Sequence, residues 1–585
     1  MKELKYLNKY FFKYRYRLIL GVITTIIARI FSLFTPRLIN KSLTTVEEYS
    51  KGNIEDLAFV KNDLLMNILM IIGAVILSGF FTFVMRQTII VMSRYIEFDL
   101  KNEIFQQYEN LTQRFYKKNR TGDLMNRISE DVGKVRMYFG PAIMYSINMF
   151  TLFVIVIANM IRIDATLTLY TLAPLPILSV LIYTLSRIIN NRSRVVQESL
   201  SNLTTQAQEV FSGLNIIKAY GIEKQSFDKF DTLALVSKEK NISLFKANAL
   251  FFPMMILLIG ISNVLVIYIG GMRYINGDIQ SFGVIAEFII YVNMLTWPVA
   301  VVGWVTSMVQ QAEASQKRIN EFLNEKPEVA NTANENSVIN GRIEFKNVTF
   351  TYEDTNITAL KDVSFSLDKG QTLAILGKTG SGKSTILNLI ARMYDIDDGQ
   401  IFIDNKSINE LHLNDLRSSI GFVPQEAFLF SDTIGNNIKF GNAKASDATI
   451  IQAAKNAHIH HNIVEFNEQY ETKVGERGVT LSGGQKQRIS IARAIIANPE
   501  ILIFDDCLSA VDTETEEIIL NNLESVSKGK TTIIVSHRVS SAKNADLILV
   551  LEEGEIIQKG THDQLSSESG YYQDIYNQQL SEEAI

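Results

Sequence analysis

Three observations predict an all-α transmembrane domain of six helices with long cytoplasmic helical extensions, followed by an α/β domain. Charge-free runs of membrane length fill the first part of the 585-residue chain and end near Asn324. The stretches between some of these runs carry charges mixed with apolar residues at helical spacing. Beyond Asn324, short β-type runs alternate with helical stretches, the pattern of a largely parallel sheet covered by helices.

The spans come first along the chain. Residues 64–85, 137–161, 165–186, 247–272 and 288–312 contain no Asp, Glu, Lys or Arg. Each is long enough for a hydrocarbon core, which takes about 20 apolar residues. Residues 18–36 are apolar but for Arg29. The predicted spans are 18–38, 64–92, 137–161, 165–187, 247–272 and 283–308, in a transmembrane domain of residues 1–324. A 47% hydrophobic composition and a mean hydropathy of +0.10 fit a chain that lives partly in lipid. They exclude a disordered or fibrous protein. The net charge of −5 leaves no global basic field, so no nucleic-acid partner is expected. Cys507 is the single cysteine, which excludes an internal disulfide framework.

Orientation follows from the flanks. Lys2, Lys5, Lys9, Lys13, Arg15 and Arg17 precede the first span, with Glu3 the only acid before residue 18. No small-residue cleavage site follows that span, so an uncleaved membrane protein with a cytoplasmic N-terminus is expected. Six crossings then place 93–137 and 187–246 inside, and each holds nine Lys or Arg. The outer connections are 162–164, 273–280 and a polar stretch at 41–63. In the inner loops Leu100, Ile104, Tyr108 and Leu111, and again Val195, Leu200, Leu203, Val210 and Leu214, keep helical spacing. The membrane helices should therefore run well into the cytoplasm. Pro174, Pro176, Pro253 and Pro298 fall inside spans, where kinks are tolerated. Arg29, Arg86 and Glu287 are charges within or beside spans, read either as cargo contacts or as side chains that snorkel to an interface.

Residues 325–341 are polar and read as a linker to an α/β domain of residues 342–585. Its β-type runs are 342–345, 372–376, 501–504, 532–535 and 547–551. The run at 372–376 leads into Gly377, Lys378, Thr379, Gly380, Ser381, Gly382, Lys383 and Ser384, then a helical stretch from Thr385. This is a phosphate-binding loop in the strand–loop–helix context that it needs. Its glycines let the backbone approach closely, so that amides wrap phosphate oxygens at a helix start. Lys383 is placed to reach the β- and γ-phosphates of ATP, and the Ser384 hydroxyl to bind Mg²⁺. The strand at 501–504 ends in Asp505 and Asp506. Asp505 stands where Mg²⁺ takes a carboxylate, and Asp506 where a general base or water-positioning group stands. Between these motifs lies Leu481, Ser482, Gly483, Gly484 and Gln485, ahead of a helical run. A hydroxyl and free amides at a helix start form a second anion site. The clustered His458, His460 and His461 lack the further ligands that a metal site requires. Cys507 reads as buried filler.

The order of the phosphate loop, Gln425, residues 481–485, Asp505 and His537 resembles the nucleotide-binding domain of an ABC transporter. Six spans ahead of it resemble an exporter-type half-transporter, so the second domain is expected to be a P-loop NTPase domain of the ABC type. The resemblance covers almost the whole chain. It implies that Tyr352 stacks on adenine, that Gln425 senses Mg²⁺ and the attacking water, and that His537 meets the γ-phosphate. It also implies that Ser482, Gly484 and Gln485 bind the ATP held by a second chain, so that two cassettes sandwich two ATP. Residues 509–512 resemble the loop that communicates between the two sites, and 475–478 an exporter-specific segment. Residues 121–124 and 218–223 resemble the segments that couple cassette closure to the spans.

The implied activity is an ATPase driving export or flipping of an amphipathic drug-like molecule, lipid or peptide across the bacterial plasma membrane. The alternative is an importer of exporter-like fold, as in some siderophore systems. No peptidase domain precedes the spans, which sets the expectation against peptide processing. One residue departs from the family pattern: the family usually has Glu after the Mg²⁺ aspartate, and this chain has Asp506. That departure resembles the degenerate half of a heterodimeric exporter, so a second half-transporter is expected as partner, with a homodimer as the alternative.

Overall fold

The computed structural model describes residues 2–331, 333, 335–475, 481–508 and 513–583. The chain divides into two compact units: Met1–Glu109 with Gly122–Glu325, and Asn110–Thr121 with Lys326–Ile585.

The first unit is helical. Its longest helix, Leu57–Asn110, has 54 residues. At 1.5 Å per residue this is about 80 Å, well beyond a 30 Å hydrocarbon core. Pro174–Ser212 and Gly283–Leu323 likewise continue past the lengths that a bilayer needs. Among the described residues, five helices are long and apolar enough to cross a membrane. On Leu57–Asn110 the side chains of Leu69, Ile72, Ile76, Phe80 and Phe83 are exposed. In lipid such a face carries no penalty, whereas in water it would be a large apolar patch. The interior gathers Val156, Met160, Leu167, Phe288 and Tyr291, none more than 1% exposed.

Proline placement accounts for some of the helix breaks. Helix boundaries fall at Ala173, just before Pro174, and at Leu250, three residues before Pro253. Each proline removes a donor and crowds the preceding turn. Pro298 lies inside Gly283–Leu323 without a break. The polar stretch at 41–63 is less of a loop than its composition suggests. Helix continues through Phe34–Ser50, and the next begins at Leu57. Polar partners hold it there: Lys41 pairs with Asp63 at 2.9 Å, and Glu47 accepts from the Phe282 backbone N–H at 2.9 Å.

The second unit is α/β with two sheets. A four-stranded antiparallel sheet has the order β2-β1-β4-β5, from β1 (Ile343–Tyr352), β2 (Ile357–Leu367), β4 (Asp398–Ile403) and β5 (Lys406–Ser407). The larger sheet has the order β10-β9-β3-β8-β7-β6. It comprises β3 (Thr372–Gly377), β6 (Ile420–Val423), β7 (Ile501–Asp505), β8 (Thr531–Val535), β9 (Leu547–Glu552) and β10 (Glu555–Gly560). All of its pairings are parallel except β9 with β10. Strands β3 and β7 are apolar nearly throughout and almost wholly buried, as expected where helices cover both faces. The order puts the ends of β3, β8, β7 and β6 side by side, and the candidate site forms at that carboxyl edge.

Candidate functional site

The loop after β3 is shaped by its glycines. Gly377 and Gly382 have φ of +144° and +99°. A Cβ at Gly377 would lie 2.2 Å from the Leu551 carbonyl oxygen, and one at Gly382 would lie 2.3 Å from that of Ala359. Both positions therefore need glycine on conformational and steric grounds. Gly380, at φ +83°, has open space around it and needs glycine for its backbone alone. The helix Lys383–Ile390 starts directly from this loop.

The loop's polar groups are poised for an anion. The Lys383 ammonium is buried and donates to the carbonyls of Gly377 and Lys378 at 2.7 and 2.8 Å. Burial pulls its pKa below the ordinary lysine value, while Asp506 and Asp505 oppose that shift. A desolvated cation of this kind gains strongly from an anionic ligand. The Ser381 hydroxyl is buried with no hydrogen-bond partner among the described residues. Such an orphan is costly, and a phosphate oxygen would satisfy it. Lys378 points elsewhere and pairs with Glu552 at 2.8 Å, so only its backbone serves the loop. Thr379 lies at the exposed turn.

Ser384 donates to the Asp505 carboxylate at 3.0 Å, joining the helix start to the end of β7. Burial raises the Asp505 pKa; the Ser384 hydrogen bond works against that, the Asp506 charge adds to it and the Lys383 charge opposes it. Asp506 follows with φ +43°, a left-handed conformation that Asp tolerates better than most residues. Its N–H donates to the Val535 carbonyl at 3.0 Å, which ties it to the end of β8. Its carboxylate accepts from the Gln425 amide at 3.3 Å. Cys507 is buried, and burial pushes its thiol pKa up, so it is inert filler.

Tyr352, at the end of β1, lies on the phosphate-loop side through a 3.1 Å hydrogen bond between its hydroxyl and that of Thr385. Its ring meets Phe350 and Tyr394 edge to face. The Lys117 ammonium lies 4.7 Å from its centre. A cavity of about 340 Å³ opens beside it, lined also by Arg114, Lys117 and Tyr394. Tyr352→Ala should weaken ATP binding by about 1–3 kcal/mol if the ring stacks on a base. Nucleotide titration should then show rescue by Phe or Trp but not by Leu; equal rescue by Leu would reduce Tyr352 to plain packing.

Ser482 caps the helix Gly483–Ile496. Its hydroxyl accepts from the Gln485 N–H at 3.3 Å, and its own N–H donates to the Gln485 side chain at 3.0 Å. This capping box fixes the first turn of the helix, which includes Gly484. Gln487, on the same helix, donates to the Gln425 carbonyl at 3.4 Å. His537 is exposed on the loop after β8, where the Ser536 N–H still donates to Ile375 of β3 at 3.3 Å.

The structure thus brings the phosphate loop, Thr385, Tyr352, Asp505, Asp506 and Gln425 together, with His537 on the neighbouring strand end. The hydrogen bonds of Ser482 and Gln485 named here close on each other. Residues 509–512 and 476–480 lie outside the described residues. The coupling expectation at 121–124 is displaced: the segment that packs with the cassette is Asn110–Thr121, ending where the expected one begins. Its Arg114 pairs with Glu328 and Glu353. No motif marks Arg114 or Lys117, two of the nine Lys and Arg in 93–137, apart from their neighbours. Glu287 is not a cargo contact in this structure. It is 1% exposed and accepts from Asn40 and Tyr291, both at 2.6 Å. Arg29 donates to Asn148, and Arg86 is exposed. In the histidine cluster, His460 hydrogen-bonds the Tyr470 hydroxyl at 2.9 Å.

The family profile described as ABC transporter transmembrane region matches residues 18–299, and that described as ABC transporter matches residues 360–509. The chain is 36% identical to the multidrug resistance-like ATP-binding protein MdlA of Buchnera aphidicola (subsp. Schizaphis graminum), over 99% of this chain and 98% of that protein. It is 34% identical to an ATP-dependent lipid A-core flippase of Pseudomonas fluorescens, over 83% of this chain and 80% of that one. The structure of a bacterial Atm1-family ABC exporter with ATP bound superposes with a TM-score of 0.79 at 26% identity, covering 97% of this chain and 98% of that one.

Proposed function

The chain belongs to the ABC transporter family, and from that membership we propose that it works in a pair, closing two cassettes on two ATP to move an amphipathic cargo. As a member it is an ATP-hydrolysing exporter, a multi-pass protein of the bacterial inner membrane with its cassette in the cytoplasm.

The observation that carries the pairing is the placement of Ser482, Gly484 and Gln485. Ser482 and Gln485 cap their own helix and Gly484 lies in its first turn, a helix start suited to an anion. A second chain's ATP completes it. Exposed apolar residues at the tip of one inner loop, Ile216, Tyr220 and Ile222, support the same reading, since that tip lies in water unless a partner covers it.

Within each site Lys383 neutralises the β- and γ-phosphates. Ser384 and Asp505 offer adjacent hard oxygens, the donor set that Mg²⁺ takes, with Gln425 beside them. Mg²⁺ held by these oxygens would supply charge neutralisation for the transferred phosphoryl group. Asp506 and Gln425 hold the attacking water, and His537 meets the γ-phosphate. The short Asp506 favours a partner chain that carries the longer acid, hence a heterodimer.

Cargo class rests on a cavity of about 530 Å³ lined by Ile182, Val299, Arg187, Asn190, Ser307 and Gln310. Aliphatic walls beside a guanidinium and amides suit a molecule with an apolar body and a polar or anionic head. Inverted membrane vesicles containing the chain and its partner should accumulate a lipophilic fluorescent dye only with hydrolysable ATP. ATP-dependent loss of dye from those vesicles, or accumulation of a polar sugar instead, would overturn the cargo reading.

A further inference from the structure

His537 sits on a loop with neither helical nor sheet hydrogen bonding, so other contacts must set where its imidazole points. The Arg538 side chain and the Ser541 hydroxyl converge on the buried Glu516 carboxylate, the latter at 2.6 Å. These bonds hold the loop downstream of His537. The backbone of His537 itself is held from the far end of the chain. The amide of Gln579 donates to the His537 carbonyl at 3.0 Å, and its oxygen accepts from the Val539 N–H at 2.8 Å. One side chain thus straddles Arg538 and uses both its donor and its acceptor on the two flanking peptides.

Gln579 is itself well placed to hold this position. It lies on the helix Tyr571–Glu583. Tyr572 of that helix is fully buried among Val539, Ala542 and Ala545, directly behind the loop. The Tyr572 hydroxyl bonds His562 at 2.7 Å, and its N–H donates to Gln558 at 3.0 Å. A helix anchored at that point presents Gln579 to the loop at fixed range, two turns further along.

We propose that Gln579 is a positioning residue for ATP hydrolysis, holding the His537 backbone so that its imidazole reaches the γ-phosphate. The proposal rests on the reading of His537 given above. Only a primary amide of this length serves both flanking peptides. Glutamate keeps the acceptor for Val539 but sets a carboxylate against the His537 carbonyl, alanine leaves both groups to water, and asparagine is one methylene short.

The test measures ATP turnover of the full chain in lipid nanodiscs, as it stands and with Asp506→Glu. In both, Gln579→Ala and Gln579→Glu should lower kcat about tenfold, with KM for ATP changed less than about twofold and an unchanged unfolding temperature. His537→Ala should lower kcat further, and Gln579→Ala added to it should have no extra effect, because Gln579 acts only through His537. A structural role would instead lower the unfolding temperature and add to the His537→Ala loss. Normal turnover in Gln579→Ala, or a full additional loss in the double variant, overturns the inference while the His537 reading stands. Unaltered turnover in His537→Ala overturns that reading, and this inference with it.

Discussion

Asp506→Glu should raise the ATP turnover of the chain by itself by up to about 100-fold, the scale on which a misplacement of about 1 Å acts. Asp506 is held by its left-handed backbone and by its N–H bond to Val535, which leave the chain little room to advance the shorter carboxylate. Its carboxylate accepts from the Gln425 amide at 3.3 Å. The extra methylene moves the acid toward the γ-phosphate while Ser384, Asp505 and Gln425 stay in place. Steady-state hydrolysis in lipid nanodiscs distinguishes the outcomes. A slow wild type, a faster Glu variant and an Asn variant close to wild type support a chain whose own site is weak and whose partner carries the stronger one. A fast wild type abolished by Asn would make Asp506 a competent base and remove the argument for a heterodimer.

Lys383→Ala should weaken ATP binding at the phosphate loop by about 100-fold. Charged hydrogen bonds of the kind that Lys383 would make to phosphate contribute about 1.5–3 kcal/mol each, and every 1.4 kcal/mol is tenfold in affinity. The ammonium also donates to the Gly377 and Lys378 carbonyls. Its removal therefore also frees two carbonyls, one buried and one half-buried, so the loop loses support along with its charge. Equilibrium binding of a fluorescent ATP analogue to the full chain checks this. Unchanged affinity would remove residues 377–384 from the site. A Lys383→Arg variant separates the two effects: it keeps the charge but does not fit the pocket shaped for a compact ammonium.

Much of the site was legible because its chemistry is local in sequence. The glycines, Lys383 and Ser384 are neighbours along the chain, and the strand before them and helix after them announce themselves by composition. The capping box at Ser482 and Gln485 spans one helical turn and needs no tertiary information to form. The membrane runs were legible for a similar reason, since lipid acts on each helix residue by residue.

What only the tertiary structure decided lies in pairings between distant residues. Gln425 meets Asp506 across 81 positions, because β6 and β7 are adjacent in the sheet. Gln579 meets His537 across 42, because a buried tyrosine seats the last helix behind β8. Glu287, which sequence alone left between cargo contact and snorkelling, is sealed by Asn40 from 247 positions away. The helix of Phe34–Ser50 outran its polar composition because Asp63 and the Phe282 N–H offered partners that no local pattern encodes. The sequence by itself therefore determined the glycine-rich loop, the long apolar helical runs and the family, all set by bonding within a turn or a strand. The tertiary structure decided how the catalytic groups are aimed, because aim depends on which strands and helices become neighbours.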